Sequence, residues 1–92
     1  MNLHNAIRQN DTTIVDVRSP QEFRDGHVPN AINIPLDVIE YRIGTLQNLS
    51  KPVVLCCASG NRSHQAYQKL REKGCHEIYD GGAWRDVYIH QM

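Results

Sequence analysis

Apolar and polar positions follow two patterns along the chain, one typical of buried strands and one typical of amphipathic helices. Residues 12–17 and 52–55 are rich in β-branched side chains and have the length of buried strands. Residues 36–47 carry apolar side chains at steps of three, four and three, which predicts a helix with one apolar face. Residues 62–73 show a second such stripe, and Gly74 behind them is a stop signal. Strands therefore alternate with helices.

Shorter elements complete this pattern. Ser19, followed by Pro20 and by Glu22 three residues after the cap, is a typical helix start with a capping box. Gly26 and Pro29 end that helix early. The other segments are predicted as a short helix over residues 2–9, a short strand over 31–34, a brief strand over 75–79, a turn over 80–82 and a terminal segment that contains Trp84.

The alternation of strands and helices predicts the fold class. Strands joined through helices by short turns pair in parallel, and right-handed crossovers place helices on both faces of the sheet. With 92 residues, the chain has room for one core, so we expect a single α/β domain over residues 1–92 with a small parallel sheet. Ligands of such folds bind at the carboxyl ends of the strands. The segment that follows residue 55 lies at that edge.

Cys56 and Cys57 stand where the predicted strand over residues 52–55 gives way to a helix. Gly60 allows the backbone to turn tightly, and the unpaired amides of the helix's first turn point back toward the sulfur. This positive field favours the thiolate, which is the nucleophilic form of cysteine. The turn is therefore a candidate site for an activated thiol.

Two interpretations of this loop remain open from the residue types alone. Counted from Cys56, the loop is Cys-x5-Arg-Ser, which is wide enough to wrap a phosphate with Arg62 as a bidentate ligand. Counted from Cys57, the loop is one residue shorter. The shorter loop suits a cysteine that accepts a sulfur atom and holds it as a persulfide anion.

Composition narrows the classes of function. Ten basic and ten acidic residues leave no net charge, so nucleic acid is not an expected partner. Three cysteines, two of them adjacent, do not form a disulfide framework, and reduced thiols favour a cytoplasmic location. Neither a signal-like apolar core nor a run of membrane-spanning length is present, so we expect a soluble protein without a membrane partner.

Five other residues that could carry chemistry have structural interpretations. Asp16 and Arg18 follow a predicted strand and form either a functional edge or, in the favoured interpretation, a salt-bridged corner. His27 after a glycine is expected to fix a turn by bonding backbone carbonyls. Trp84 is expected to anchor the core, with lining of the pocket mouth as the alternative. Cys75 is expected to be a thiol without a role.

Two stretches of the chain closely resemble a known family. Residues 16–35 (DVRSPQEFRDGHVPNAINIP) resemble the N-terminal signature of the rhodanese homology domain, and residues 54–63 (VLCCASGNRS) resemble its active-site segment. The two motifs occur in the family's order, and the similarity spans about residues 11 to 85. The resemblance implies a rhodanese-like fold. It also implies a sulfurtransferase that moves sulfane sulfur from a donor such as thiosulfate to cyanide or to a thiol acceptor.

The same resemblance assigns roles within the loop. It makes Cys57 the catalytic residue, which becomes a persulfide, and leaves Cys56 as a buried neighbour. The amides of residues 58–62 would cradle the sulfur, Arg62 would brace the loop or help to hold an anionic donor, and Ser63 would bond within the loop or cap the helix. No metal or organic cofactor is implied. The implied partners are a small sulfur donor and acceptor, with a protein thiol as a candidate acceptor. The implied substrate-binding loop consists of Ala58, Ser59, Gly60, Asn61, Arg62 and Ser63.

The chain departs from the family pattern at three places: in the active-site loop, in the N-terminal signature and near Trp84. Many thiosulfate-using members carry a basic residue in the loop where this chain has Ala58, Ser59 and Asn61, so the pattern does not predict the donor. Asn30 replaces a usual glycine, a change that left-handed turns tolerate. Trp84 lies closer to the preceding glycines than in the family, which predicts a last helix that is short or packs differently.

Two other classes of function compete with sulfur transfer. A phosphatase or arsenate reductase would use Cys56 as nucleophile, but Leu55 stands where many such enzymes have histidine, and no acid loop is recognisable. A catalytically silent interaction module would have no physical need for an activated thiol beside Gly60 and Arg62. The sequence therefore favours a sulfurtransferase.

Overall fold

Four short strands of the chain form one parallel sheet. A computed structural model describes all residues from Met1 to Met92. The strands lie in the order β2-β1-β3-β4, and each neighbouring pair is parallel, as the alternating pattern predicts. The elements follow one another as α1 (Leu3–Arg8), β1 (Thr13–Asp16), α2 (Pro20–Arg24), β2 (Ile32–Asn33), a 3₁₀ helix (Leu36–Arg42), α3 (Ile43–Gln47), β3 (Val53–Cys57), α4 (Asn61–Glu72), β4 (Ile78–Ala83) and α5 (Trp84–Gln91).

Helices cover both faces of this sheet. The pleat sends alternate side chains of β3 to opposite faces, so Val53, Leu55 and Cys57 pack on one side and Val54 and Cys56 on the other. The first side is covered by the 3₁₀ helix, α3 and α4, and the second by α1 and α5. No helix of the structure combines the length and apolar character that crossing a membrane requires.

The helix predicted over residues 36–47 is divided into two parts. Leu36–Arg42 is a 3₁₀ helix, and Ile43–Gln47 continues as α-helix after Arg42 leaves helical dihedral angles, with φ −116° and ψ 22°. The predicted apolar face survives this division, because Ile39 and Leu46 are both buried. A 3₁₀ turn aligns residues three apart, which keeps Leu36 in line with Ile39.

The end of the chain differs most from the prediction. The strand expected over residues 75–79 begins only at Ile78, and the turn expected over 80–82 is part of the strand, which runs to Ala83. A β-bulge explains the error, because Leu55 pairs with Asp80 and Cys57 with Ala83, so β4 carries one extra residue. Gly81 permits this close approach, since a Cβ there would lie 2.7 Å from a Val54 methyl carbon. Strand β2, at the edge of the sheet, is also shorter than the strand predicted over residues 31–34.

The local stop and start signals were predicted correctly. Ser19 and Glu22 form a capping box at the start of α2, in which each side chain bonds the other residue's backbone amide. Asn30 adopts a left-handed φ of 69°. Gly74, with φ 84°, ends α4 in a Schellman motif, in which the amide of Cys75 donates to the carbonyl of Leu70 at 3.0 Å. Cys75 is therefore in a loop and not in the strand expected there.

Candidate active site

The loop that follows β3 joins the sheet to α4 in three residues. Gly60 is the N-cap of α4 and has a φ of 100°, a conformation that strains any residue with a Cβ. Ala58, Ser59 and Asn61 are exposed around it. The loop therefore sits at the carboxyl edge of the sheet, where parallel α/β folds bind ligands.

The sulfur of Cys57 lies inside this loop. It accepts hydrogen bonds from the amide of Gly60 at 3.0 Å and from the amide of Ser63 at 3.3 Å. Burial of this cysteine is the largest influence on its pKa and raises it. The amide and hydroxyl of Ser63, together with the amides of Gly60 and Ser59, outweigh burial, so the pKa of Cys57 falls below its ordinary value. The loop thus stabilises a thiolate.

The donors to the sulfur differ in part from those predicted. The cradle expected from the amides of residues 58–62 includes Gly60 and, through its effect on the pKa, Ser59. The other hydrogen bond to the sulfur comes from the amide of Ser63, which lies outside that span. The helix has turned by that point, so the amide at the third helical position faces back into the loop. Ser63 also bonds within the loop, as expected, by donating its hydroxyl to the carbonyl of Gly60 at 3.0 Å.

Arg62 reaches from α4 to α2, where it binds Glu22. Its two terminal nitrogens bind the two carboxylate oxygens of Glu22 at 2.7 and 2.9 Å. Hydrogen bonding to the arginine is the main reason why the pKa of Glu22 falls to about 2, and the same bonds raise the pKa of Arg62. Of the two roles that the resemblance implies for Arg62, bracing the loop is the one that this geometry supports.

Asp80 is a site residue that the sequence did not identify. Its carboxylate accepts a hydrogen bond from the Ser63 hydroxyl at 2.7 Å and one from the amide of Gly82 at 3.2 Å. The ring of His64 lies on its other oxygen, with Nδ1 at 3.4 Å. Asp80 therefore ties the first turn of α4 to the bulge of β4. An aspartate before two glycines is also a typical turn sequence, so the residue types alone do not show that Asp80 binds Ser63.

Cys56 and Cys57 have contrasting surroundings. The Cys56 side chain is fully buried on the opposite face of the sheet, among the residues that pack under α1 and α5. Burial is the main reason why the pKa of Cys56 is raised, and the nearby carboxylate of Asp16 adds to the increase. Cys75 is a buried free thiol between α4 and β4. The buried position expected for Cys56 is confirmed.

The structural interpretations of four other residues are also confirmed. Asp16 and Arg18 form a buried ion pair, with Nη2 of the arginine 2.7 Å from Oδ2 of the aspartate, so this edge is a salt-bridged corner. The Nδ1 of His27 donates to the Phe23 carbonyl at 2.7 Å and fixes the turn after α2. Trp84 packs against the cluster under α1 and α5, with the Arg18 guanidinium 5.0 Å from its ring centre.

Metal ligands are not grouped anywhere in the structure. No three of its histidine, cysteine, aspartate and glutamate side chains come close enough together to hold a metal ion.

Comparisons with known proteins agree with this architecture. Residues 2–84 match the family model described as "Rhodanese-like domain". The chain is 45% identical to the Bacillus subtilis protein named "Uncharacterized protein YqhL". That match covers 73% of this chain and 52% of the relative, so the chain spans about half of the relative's length. It is 36% identical to the thiosulfate sulfurtransferase GlpE of Pseudomonas syringae, covering 90% of this chain and 81% of the relative.

A solved structure supports the same grouping. The protein described as "rhodanese with anions from E. coli" superposes with a TM-score of 0.72 at 35% identity, covering 82% of this chain and 89% of that one.

Proposed function

The chain belongs to the rhodanese-like domain family and is a sulfurtransferase, and we propose that it carries the transferred sulfur on Cys57 as a persulfide. The observation that carries this proposal is the pair of amide hydrogen bonds to the Cys57 sulfur, from Gly60 and Ser63. Amides fixed at this position stabilise an anion before any substrate arrives. They would serve the thiolate that attacks and the persulfide anion that follows.

The proposed reaction has two steps. The thiolate of Cys57 attacks the outer sulfur of a donor such as thiosulfate, a new S–S bond forms, the donor's S–S bond breaks, and its electron pair leaves with sulfite. Cyanide or an acceptor thiolate then attacks the outer sulfur of the persulfide. The bond to Cys57 breaks, and its electron pair returns to Cys57 as thiolate. The kinetics expected from this sequence are ping-pong.

The remaining loop residues have supporting roles in this proposal. Gly60 permits the left-handed turn that brings its own amide to the sulfur. Arg62 fixes the loop against α2 through Glu22. The exposed side chains of Ala58, Ser59 and Asn61 border the point at which donor and acceptor approach.

The acceptor and the setting are parts of the same proposal. Because the loop lies at the protein surface, a thiol on another protein is a suitable acceptor besides small molecules. Cys56, Cys57 and Cys75 are free thiols, which suits the reducing cytoplasm.

Mass measurement of the intact protein tests the persulfide. After treatment with thiosulfate, the wild type and Cys56→Ser should each gain one sulfur atom, and cyanide should remove it. Cys57→Ser should gain none. Cys56→Ser is the matched control because it removes the neighbouring thiol on the opposite face of the sheet. A gain that survives in Cys57→Ser, or that disappears only in Cys56→Ser, would contradict the assignment.

A further inference from the structure

Strand β4 lies at one edge of the sheet and has a neighbouring strand on one side only. The amide of Val53 donates to the carbonyl of Glu77 at 2.9 Å, which sets the alternation of hydrogen bonds at the start of β4. Alternate residues of a parallel strand bond the same neighbour, so the backbone N–H and C=O groups of Ile78 and Asp80 point away from β3. An edge strand offers such groups to an added strand.

A groove of about 520 Å³ runs along this open edge. Tyr67 and Arg71 of α4 form one wall, and residues 77–80 form the other. The guanidinium of Arg71 stands over the Tyr67 ring, 6.0 Å from its centre, and takes part in no ion pair. This edge groove therefore combines a free main-chain edge with an aromatic wall and an uncommitted hydrogen-bond donor.

The edge groove leads to the Cys57 loop. Asp80 lines the groove, and three residues further along β4, Ala83 pairs with Cys57. A Cβ placed on Gly60 would lie 3.6 Å from the Cα of Gly82, so this glycine adjoins the catalytic loop. A Cβ placed on Gly82 would meet nothing within 4 Å, so the space beside it is open. A chain that leaves the groove at this end arrives beside the loop.

From this arrangement, and resting on the proposed function, we propose that an extended segment of an acceptor protein adds to the sheet along β4 and brings its cysteine to the Cys57 persulfide. Recognition rests on the main chain and tolerates many side chains, as in other strand additions. The groove favours an acceptor over a second copy of this chain, because it opens onto the sulfur that an acceptor must reach.

The transfer within the docked complex balances without a further reactant. The acceptor thiolate attacks the outer sulfur of the persulfide, and a new S–S bond forms. The bond between that sulfur and Cys57 breaks, and its electron pair returns to Cys57 as thiolate. The acceptor leaves as a persulfide.

Transfer rates to synthetic peptides test this proposal. The probes are two short peptides of alternating valine and threonine, one with a cysteine at the N-terminal end and one with it at the C-terminal end, because an added strand can run in either direction. Each has an analogue with N-methylated valine and threonine amides, which keeps the thiol but cannot join a sheet. With thiosulfate-loaded wild type, we expect at least one peptide to accept sulfur about tenfold or more faster than its analogue, since each lost hydrogen bond weakens docking.

Two tryptophan variants of α4 show whether the edge groove is the docking place. Arg71→Trp fills the groove with a bulky side chain, whereas Glu72→Trp places the same side chain on an exposed neighbour that does not line it. Arg71→Trp should lose most of the advantage of the peptide over its analogue, and Glu72→Trp should keep it. Cyanide needs no docking, so it should remove the sulfur from both variants at the wild-type rate.

The outcomes separate this proposal from the proposed function. Equal rates for both peptides and their analogues, or an equal loss in both tryptophan variants, would overturn strand addition while loading of Cys57 still supports the persulfide. A dimer in sedimentation that Arg71→Trp dissociates would also overturn it, because a second copy would then occupy the edge. If thiosulfate and other sulfane donors leave Cys57 unloaded, the proposed function itself fails.

Discussion

Ionisation of Cys57 should respond in opposite directions to two substitutions in the same hydrogen-bond network. Ser63 supports the thiolate through its amide and its hydroxyl. That hydroxyl has one proton, and two acceptors already face it, the Gly60 carbonyl at 3.0 Å and the Asp80 carboxylate at 2.7 Å. A carboxylate is the stronger acceptor, so Asp80 competes with the sulfur for this proton.

The magnitude follows from what each variant removes. Ser63→Ala keeps the amide bond to the sulfur and loses only the hydroxyl, whose undivided hydrogen bond to an anion is worth about 1.5 to 3 kcal/mol. Because Asp80 shares the proton, we expect the low end of that range, which lowers the thiolate fraction at neutral pH about tenfold. Asp80→Asn keeps an acceptor oxygen for the Gly82 amide but removes the charge. The same oxygen then remains for the Ser63 hydroxyl as a neutral and weaker acceptor, so the sulfur competes better for the proton and the thiolate fraction should increase severalfold.

The assay is the pH dependence of iodoacetamide alkylation, followed by mass spectrometry at Cys57. The wild-type midpoint should lie below that of an ordinary thiol, with Ser63→Ala shifted to higher pH and Asp80→Asn to lower pH. Circular dichroism checks that α4 is intact in both variants. A shift of Asp80→Asn to higher pH would refute the competition, because it would mean that the carboxylate supports the thiolate by holding the loop together.

Three further predictions concern stability. The pKa of Glu22 is lowered from 4.5 to about 2, so its ion pair stabilises the fold fully above pH 4.5, and this stabilisation is lost as the pH falls through 2. The melting temperature of the wild type should therefore fall over this pH range by more than that of Glu22→Gln, which has no carboxylate to protonate. Gly81→Ala should lower the free energy of unfolding in urea by about 1 to 3 kcal/mol, because its Cβ would meet three neighbouring atoms at 2.7 to 2.9 Å. Gly44→Ala is the control, and it should raise that free energy by about 0.5 to 1 kcal/mol because the space around residue 44 is open. Asp16→Asn should lower the free energy of unfolding by about 3 to 5 kcal/mol, because Arg18 stays buried without its counter-charge; equal stability in urea would show that the arginine finds another partner.

The parts of the fold that the sequence predicts well depend on contacts between close neighbours. The capping box of α2 involves Ser19 and Glu22, three residues apart, and the stop of α4 needs only Gly74 and the turn before it. These hydrogen bonds form wherever the local sequence allows them. Parallel strand pairing also follows from the alternation of strands and helices, because each helix returns the chain to the same end of the sheet.

The parts of the site that the sequence does not predict depend on distant pairs. Glu22 binds Arg62 from 40 positions away, and Asp80 binds Ser63 from 17 positions away. Both acidic residues also have complete local explanations, one as a capping residue and the other as a turn residue. Only tertiary structure shows that Glu22 performs its local role and a long-range one together, and that the expected turn at Asp80 is a bulged strand.

Strand geometry explains why the sulfur of Cys57, and not that of Cys56, lies in the loop. Successive side chains of a strand point to opposite faces of the sheet, so the sulfurs of Cys56 and Cys57 cannot both face the same loop. The thiolate-stabilising amides fall on the side of Cys57, where α4 begins. Exchanging the two thiols would require β3 to slip by one residue, which would turn every buried side chain of the strand to the wrong face. Val53 and Leu55 fix the strand against α3 and α4, and in doing so they also select which sulfur meets the loop.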